Sequence, residues 1–221
     1  MRATGHLRAA RAAVDVVALS AGRGCLETLL VRQGPGWAFP GRVVAAGEKL
    51  EEVALEVLAA TTGAKPPYLE QLFTFESLPG DPREAVSIAY LALFPAPLPA
   101  PGDDGRELDA RWARVDSLPR LSFGHDRLAE MAVARLRGKL SYSNIAYGLL
   151  PEEFTLGELQ RLYEVVLGRT LDRRNFRRKV LLLGLLRPLR KHRRGAHRPA
   201  RLYAFRRREP AFVDILSARS A

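Results

Sequence analysis

The chain has 221 residues, which is enough for one large domain or two modest ones, and its 47% apolar and 27% charged residues are typical of a globular protein with a packed core. Its one cysteine, Cys25, excludes an intrachain disulfide, and the absence of a long apolar stretch argues against a membrane protein. The net charge of +11 instead favours a polyanionic partner.

The N-terminus resembles a secretory signal at first sight. Three arginines, Arg2, Arg8 and Arg11, precede an apolar run at residues 12–21. Asp15 interrupts that run, and the next segment alternates as a strand does. The sequence therefore predicts folded protein and a cytoplasmic location.

The first half predicts a mixed α/β domain. Gly22 and Gly24 separate two β-rich runs, as in a hairpin. A helix is predicted at Leu50–Thr62 because its apolar residues recur at helical spacing, and Gly63 is suited to end it. The predicted strands are Val14–Leu19, Leu26–Val31, Phe73–Glu76, Val86–Phe94 and Arg111–Val115.

The following segments connect this domain to the rest of the chain. A proline-rich loop is predicted at Pro95–Gly105, since proline cannot serve in a central ladder. A helix is predicted at His125–Arg137, with Leu128, Met131, Ala132 and Leu136 on its apolar face. The predicted division is a first domain at residues 1–119, a linker helix at 120–145 and a second domain at 146–221.

The basic residues are concentrated in the second domain. Residues 1–119 hold 12 basic and 15 acidic side chains, whereas residues 120–221 hold 23 basic and 9 acidic ones. Between Arg169 and Arg208 there are 16 basic residues and one acid, Asp172. So many positive charges close together repel one another and destabilise a fold unless a polyanion neutralises them. Charge alone does not decide whether that partner is DNA, RNA or an anionic membrane.

Local signals in this region predict a first helix that begins and ends sharply. Thr155 and Glu158 have the spacing of a capping box, in which each side chain accepts a hydrogen bond from the other residue's backbone N–H. Gly168 is the small residue that a left-handed C-cap requires. The residues predicted to face inward are Leu156, Leu159, Leu162, Tyr163 and Val166.

A second helix is predicted at Arg173–Leu183, capped by Asp172 and stopped by Gly184. Its buried stripe is Phe176, Val180 and Leu183. Arginines flank that stripe at i, i+4, where like charges repel each other and need an external anion. Two helices joined by a tight turn, with arginines at the start of the second, are typical of a helix-turn-helix whose recognition helix enters the major groove.

Two short strands around a basic turn complete the module as a wing. The strands are predicted at Leu185–Leu189 and Leu202–Phe205, and the turn at Arg190–Gly195. The recognition-helix candidates for DNA binding are Arg173, Arg174, Asn175, Arg177, Arg178 and Lys179. The wing candidates, expected to contact phosphate, are Arg190, Lys191, Arg193, Arg194 and Arg198. Asn175 fits equally well as a cap of its own helix.

Two other interpretations of the basic half explain less. If the basic residues only formed solvent-exposed helix faces, the helix caps, the buried stripe, the tight turn and the wing would have no common explanation. All four features fit one winged helix-turn-helix. An amphipathic membrane helix would need more than about three turns and a tryptophan anchor. The sequence therefore favours double-stranded DNA as the partner, and no membrane.

The residues also carry a resemblance to a known family, the Nudix-related transcription regulators (NrtR). Their C-terminal domain resembles LLPEEFTLGELQRLYEVVLGRTLDRRNFRRKVLLLGLL followed by RPARLYAFR, and their linker helix is similar to FGHDRLAEMAVARLRGKL. A Nudix domain resembles GWAFPGRVVAAGEKLEEVALEVLAATTGA and DPREAVSIAYLAL. The resemblance covers most of residues 12–206. It implies a Nudix-like mixed α/β sheet with helices, followed by a winged helix-turn-helix.

The Nudix box at residues 41–64 is degenerate. A catalytic box reads G-x5-E-x7-R-E-U-x-E-E-x-G-U, where U is a bulky aliphatic residue. Aligned on Glu48 and Gly63, the first glycine falls on Arg42 and the arginine on Glu56. The three helical glutamates that hold Mg²⁺ fall on Val57, Ala60 and Thr61. Hydrolysis is therefore expected to be lost, with no catalytic or metal-binding residues and no required cofactor, because Mg²⁺ needs oxygen ligands. Glu52 and Glu56 either replace the lost pair or form a solvated helix face, and the second interpretation is favoured.

The resemblance further implies a sensor of ADP-ribose or a related nucleotide or sugar metabolite, which controls genes of NAD metabolism as a homodimer on a palindromic operator. The candidate effector-binding residues are Trp37, Arg42, Phe75 and Arg83: aromatic faces for adenine and cations for the diphosphate. Each of the four also fits packing or surface charge, and for Arg83 this alternative fits equally well. Arg42 either clamps a phosphate or obstructs the site. The alternatives are a hydrolase of a nucleoside-diphosphate-linked substrate such as ADP-ribose, which would need Mg²⁺, and a DNA-binding protein whose Nudix-like half merely dimerises.

Overall fold

The computed structural model describes residues 11–22, 24–76, 83, 85–96, 109–193 and 199–213. Seven strands of the first half form one mixed sheet: Arg11–Gly22 (β1), Cys25–Gln33 (β2), Gly36–Ala38 (β3), Gly41–Val43 (β4), Tyr68–Phe75 (β5), Ala85–Phe94 (β6) and Ala110–Arg114 (β7). The central path runs β3-β2-β1-β6-β5, with β4 paired to β1 and β7 to β2. β1 is antiparallel to β2 and parallel to β6. The predicted mixed α/β sheet is therefore confirmed.

Helices cover both faces of this sheet. Leu50–Thr62 (α1) packs on one face and His125–Tyr142 (α2) on the other. Along β1, Val14 and Val16 point to α1, whereas Val17 and Leu19 point to the α2 side, as strand alternation requires. Because both faces are covered, β1 reads as a continuous apolar run rather than an alternating one.

The second half forms a small domain of two helices and three strands. Phe154–Thr155 (β8) precedes Leu156–Leu167 (α3) and Arg173–Leu182 (α4); Leu186–Arg193 (β9) and Ala200–Phe205 (β10) follow. The strand order is β8-β10-β9, so β9 and β10 form the predicted hairpin of a winged helix. Among the described helices, none is both long enough and apolar enough to span a membrane.

One hydrophobic core runs through both halves. A single buried cluster contains Leu91 of β6, Leu136 of α2, Tyr163 of α3 and Phe176 of α4. The two halves approach each other closely at Gly148, since a Cβ there would stand 3.0 Å from the Cβ atoms of both Leu93 and Tyr68. The winged helix is thus packed directly onto the sheet.

Local signals fixed most helix ends as predicted. α1 has the predicted bounds, and Gly63 closes it with φ 66°. Thr155 and Glu158 form the predicted capping box, and Gly168 ends α3 with φ 66°. α2, however, continues five residues beyond the predicted end at Arg137, to Tyr142, because Leu140 adds another buried position to its apolar face.

Several strands differ from the predictions. β3 and β4 were not predicted, because three residues around glycines give too short a pattern. β5 begins at Tyr68, five residues before the predicted start, because its first residues pair with β6. The predicted proline-rich loop falls mostly on residues 97–108, outside the described residues.

Candidate functional site

The recognition helix α4 separates a packed face from a basic one. The Asp172 carboxylate caps the helix by accepting a hydrogen bond of 2.8 Å from the backbone N–H of Asn175. Phe176 and Val180 are buried against the rest of the domain, as predicted. The residues left exposed at the start of the helix are Arg173, Arg174, Asn175 and Arg178. Asn175 serves the cap through its backbone and not its side chain.

Arg177 lies apart from this exposed face. Its guanidinium turns toward the start of α3, where its Nη2 and the Nη1 of Arg161 lie 3.9 and 3.8 Å from the position of a Cβ on Gly157. The Arg177 Nε is buried and makes no hydrogen bond to a described residue. Burial, and then the nearby charge of Arg173, lower the pKa of Arg177. Two arginines with no ion-pair partner among the described residues therefore lie near Gly157, at the N-terminus of α3.

Arg161 was missed by the sequence analysis, which considered α3 only for its packing. The signal available was an exposed arginine among the buried positions Leu159, Leu162 and Tyr163. Lys179, the remaining candidate on α4, is half-buried.

The wing differs from its prediction. The prediction that a turn begins at Arg190 is wrong. β9 continues to Arg193, which pairs with Ala200 across the hairpin. Arg190, Lys191 and Arg193 therefore lie on a strand, where successive side chains point to opposite faces. Arg194 and Arg198 lie outside the described residues.

Two wing cations are held by acids of their own domain. Lys191 Nζ lies 2.7 Å from the Glu153 carboxylate. Arg193 forms an ion pair with Glu158 and donates a second hydrogen bond of 3.2 Å to the Glu153 carbonyl. Arg190 is exposed and has no ion-pair partner in the described part of the chain.

In the degenerate Nudix box, Arg42 forms ion pairs with two glutamates, Glu48 and Glu56. Its guanidinium donates to both Glu48 oxygens, at 2.7 and 2.9 Å, and to Glu56 at 2.5 Å. These hydrogen bonds raise the pKa of Arg42. The hydrogen bond from Arg42, followed by that from the Ala45 backbone N–H, lowers the pKa of Glu48 to about 2. Arg42 thus fastens β4 to α1.

Replacing Arg42 with alanine is therefore expected to raise the pKa of Glu48 from about 2 toward 4.5. A carboxylate with a depressed folded-state pKa stabilises the fold above its unfolded value, and this contribution is lost as the pH falls from 4.5 through about 2. A carboxyl-carbon NMR titration of Glu48 measures the shift. Arg114→Ala, which breaks an exposed ion pair elsewhere, should leave the titration unchanged. An unaltered Glu48 midpoint in the Arg42 variant would contradict the assignment.

The residues that align with the metal-binding positions of the box offer poor ligands for Mg²⁺. Val57 is buried, the side chain of Ala60 has no oxygen, and the Thr61 hydroxyl donates to the Val57 carbonyl at 2.7 Å. Glu52 is paired with Lys49 at 2.8 Å, as Glu56 is with Arg42. Among the described residues, no three His, Cys, Asp or Glu side chains converge as a metal site would require.

A cavity of 530 Å³ lies between the end of β5 and the start of α2. Its apolar walls are Phe73, Phe75, Phe123, Leu128 and Met131. Its polar lining includes Glu76, Asp126 and Arg127. Phe75 was predicted to bind the effector; Phe123 and Arg127 were not, because only the fold brings the start of α2 against β5. Met131, predicted to face inward with Leu128, instead lines this cavity.

A buried charge cluster stands behind Phe123. Arg83 Nη1 lies 2.6 Å from Asp15, whose side chain is 1% exposed, and the Arg83 guanidinium carbon lies 5.8 Å from the centre of the Phe123 ring. The Ser87 hydroxyl donates to the same carboxylate, and His125 Nε2 lies 3.8 Å from it. A Cβ on Gly41 would collide with this carboxylate, so only glycine fits there. Arg83, a candidate for the diphosphate, thus supports the wall of the cavity from behind.

Phe123 itself has a left-handed backbone, with φ 59° and ψ 25°, which costs a bulky residue energy. Trp37 lies close to two cations, with the guanidinium carbons of Arg111 and Arg32 at 4.1 and 5.3 Å from its ring centre. Of the four predicted effector residues, the structure therefore places Phe75 on the cavity and Arg83 beside its wall. Trp37 is stacked by arginines, and Arg42 is tied to α1.

Comparison with known proteins matches both halves of the chain. The family model of the NrtR DNA-binding winged helix domain matches residues 146–205, and that of the NUDIX domain matches residues 9–132. The chain is 32% identical over 202 residues to an ADPR-responsive transcriptional repressor, NtrR, of Acinetobacter baylyi, covering 87% of this chain and 80% of that protein.

Two solved structures are also similar. The crystal structure of Shewanella oneidensis NrtR complexed with a 27mer DNA superposes with a TM-score of 0.78 and 33% identity, over 88% of this chain and 93% of the other. The NUDIX domain of the same protein, complexed with ADP ribose, has a TM-score of 0.50 and 32% identity, over 58% of this chain and 90% of the other. Both halves of the chain thus have relatives that were crystallised with a partner molecule.

Proposed function

The chain belongs to the NrtR family of Nudix-related transcription regulators, and we propose that it is a repressor whose binding to DNA responds to ADP-ribose or a related nucleotide or sugar metabolite. The observation that carries this proposal is the recognition helix α4. It is capped by Asp172, packs through Phe176 and Val180, and leaves Arg174 and Arg178 exposed one helical turn apart. Guanidinium groups in this arrangement suit the O6 and N7 atoms of guanine in the major groove.

The remaining basic residues suit the phosphate backbone. We assign Arg161 and Arg177 to one phosphate, because both guanidinium groups reach Gly157 at the N-terminus of α3, where the helix dipole also favours an anion. Arg173 and Lys179 flank the base-reading pair, and Asn175 is available for an adenine edge. Arg190, Lys191, Arg193, Arg194 and Arg198 remain candidates for phosphate contacts from the wing.

We assign the effector to the 530 Å³ cavity, whose volume suits a ligand of nucleotide size. The rings of Phe73, Phe75 and Phe123 offer faces to a base. Arg127 is exposed at the cavity without an ion-pair partner among the described residues, so it suits the diphosphate better than Arg42, which is already paired. The relatives support ADP-ribose as this ligand.

We also propose that this Nudix domain binds without hydrolysing. Thr61 offers the only side-chain oxygen among the three substituted positions, and its hydroxyl is engaged with its own helix. The alternative function, hydrolysis of ADP-ribose, would require Mg²⁺-dependent turnover by the pure protein.

The assembly and its setting follow from the same proposal. A regulator of this kind acts in the cytoplasm as a homodimer, so that two recognition helices meet the half-sites of a palindromic operator. The division proposed is residues 1–119 for the effector domain, 120–145 for the linker and 146–221 for the DNA-binding domain. Genes of NAD metabolism are the proposed targets.

The test is a DNA-binding titration on the region upstream of the protein's own gene, with and without ADP-ribose, at two salt concentrations. ADP-ribose is expected to change the DNA Kd by about 5–150-fold, the usual range of coupling between two sites. In Phe75→Ala the change should shrink, while DNA binding without ligand persists. Binding that ignores ADP-ribose would redirect the search to other metabolites, and no binding to DNA would refute the proposal.

A further inference from the structure

The wing is attached to the helix-turn-helix by two ion pairs that oppose its proposed task. In the proposed function, Lys191 and Arg193 on β9 face DNA phosphate. In the structure they are paired with Glu153, just before β8, and with Glu158, in the first turn of α3. We infer that these two glutamates position the wing and weaken its grip on DNA, because each cation must leave its carboxylate, or share it, to bind a phosphate. This inference rests on the proposed DNA-binding function.

Glu158 is a fixed point in this arrangement. One of its oxygens accepts hydrogen bonds from the Thr155 backbone N–H at 2.7 Å and from the Thr155 hydroxyl at 3.0 Å, while the other contacts Arg193. The capping box therefore holds the glutamate in place, and the wing strand is brought to it. Glu153 adds both its carboxylate, to Lys191, and its carbonyl, to Arg193.

Exposure makes these contacts exchangeable. The side chains of Lys191 and Arg193 are 67% and 46% exposed, so water screens both pairs and neither is strong. A DNA phosphate offers the same charge in a far more negative field. The glutamates thus act as internal competitors for the cations that bind the backbone.

Glu158→Gln tests this directly, because glutamine keeps the capping box and loses the charge. The variant is expected to bind DNA about two- to fivefold more tightly at low salt, the range that corresponds to one exposed ion pair. Glu153→Gln should act in the same direction. Because the wing pairs with phosphates of any sequence, operator and unrelated DNA should both gain.

A matched control separates the ion pairs from the general field of the protein. Glu152 neighbours Glu153, is exposed and forms no ion pair with a basic residue among those described, so Glu152→Gln removes the same charge without releasing a wing cation. The increase in DNA affinity caused by Glu152→Gln should be smaller than that caused by Glu153→Gln. The gain of Glu158→Gln should also vanish in an Arg193→Gln background, since no cation is then left to release.

Each outcome decides the inference. Equal gains from Glu152→Gln and Glu153→Gln, or a gain from Glu158→Gln that persists without Arg193, would mean that only long-range charge matters and would overturn it. Weaker binding by Glu158→Gln would also overturn it. The proposed function has a separate test, because a wild-type protein that fails to bind any DNA would refute it. The comparison among the glutamate variants tests only the inference about the wing.

Discussion

Replacing Asp15 with alanine is expected to lower the free energy of unfolding by about 3–5 kcal/mol, the usual cost of removing one member of a buried ion pair. The Asp15 side chain is 1% exposed and that of Arg83 is 10% exposed, so water cannot replace the lost carboxylate at the guanidinium. The Ser87 hydroxyl loses its acceptor at the same time. Denaturation by urea, followed by circular dichroism, measures the change.

The matched control for this prediction is Asp116→Ala. Asp116 pairs with Arg114 at 2.6 Å, as closely as Asp15 pairs with Arg83, but its side chain is 61% exposed. Its loss should lower the free energy of unfolding far less than the loss of Asp15, because exposed ion pairs contribute little to stability. Similar losses from the two aspartate variants would show that the buried pair does not stabilise the fold as argued.

Replacing Arg174 and Arg178 with alanine is expected to weaken binding to the operator by about 1–3 kcal/mol for each arginine that reads a base. Both side chains are exposed on α4, away from the buried Phe176 and Val180, so their loss should leave the fold intact. Binding to unrelated DNA should fall less, since it depends on phosphate contacts. A fluorescence titration on both DNAs, with melting temperatures as a check on folding, measures these effects.

The control here is Arg120→Ala, which removes one exposed positive charge outside the winged helix. It should leave operator affinity nearly unchanged. If Arg174→Ala and Arg178→Ala behaved in the same way, α4 would not lie in the major groove. If they weakened both DNAs equally, the two arginines would contact phosphate and not bases.

Where one short stretch of chain determines a feature, the sequence predicted it well. The ends of α1 and α3 follow from Gly63, Gly168 and the Thr155–Glu158 pair, because these signals act within one helical turn. Asp172 at the start of α4 is a signal of the same kind. The winged helix was therefore predictable in outline from its caps and charges.

Features that join distant segments were not predictable in this way. Asp15 registered only as an interruption of an apolar run, yet its partner Arg83 lies 68 residues away. Phe123 and Arg127 acquire a role only when α2 packs beside the end of β5. In the wing, the run of basic residues predicted a turn, whereas pairing with β10 across the hairpin extends β9 to Arg193. In each case tertiary contacts, and not local preference, decide the outcome.

Because one buried cluster runs through both halves, we expect them to unfold as a single cooperative unit. Since Tyr163 and Phe176 belong to the same buried cluster as Leu91 and Leu136, melting either half would expose apolar surface of the other. A metabolite that binds only the folded state then stabilises the winged helix as well, although it touches none of it. The temperature at which α4 melts is therefore expected to rise when the metabolite occupies a cavity in the other half of the molecule.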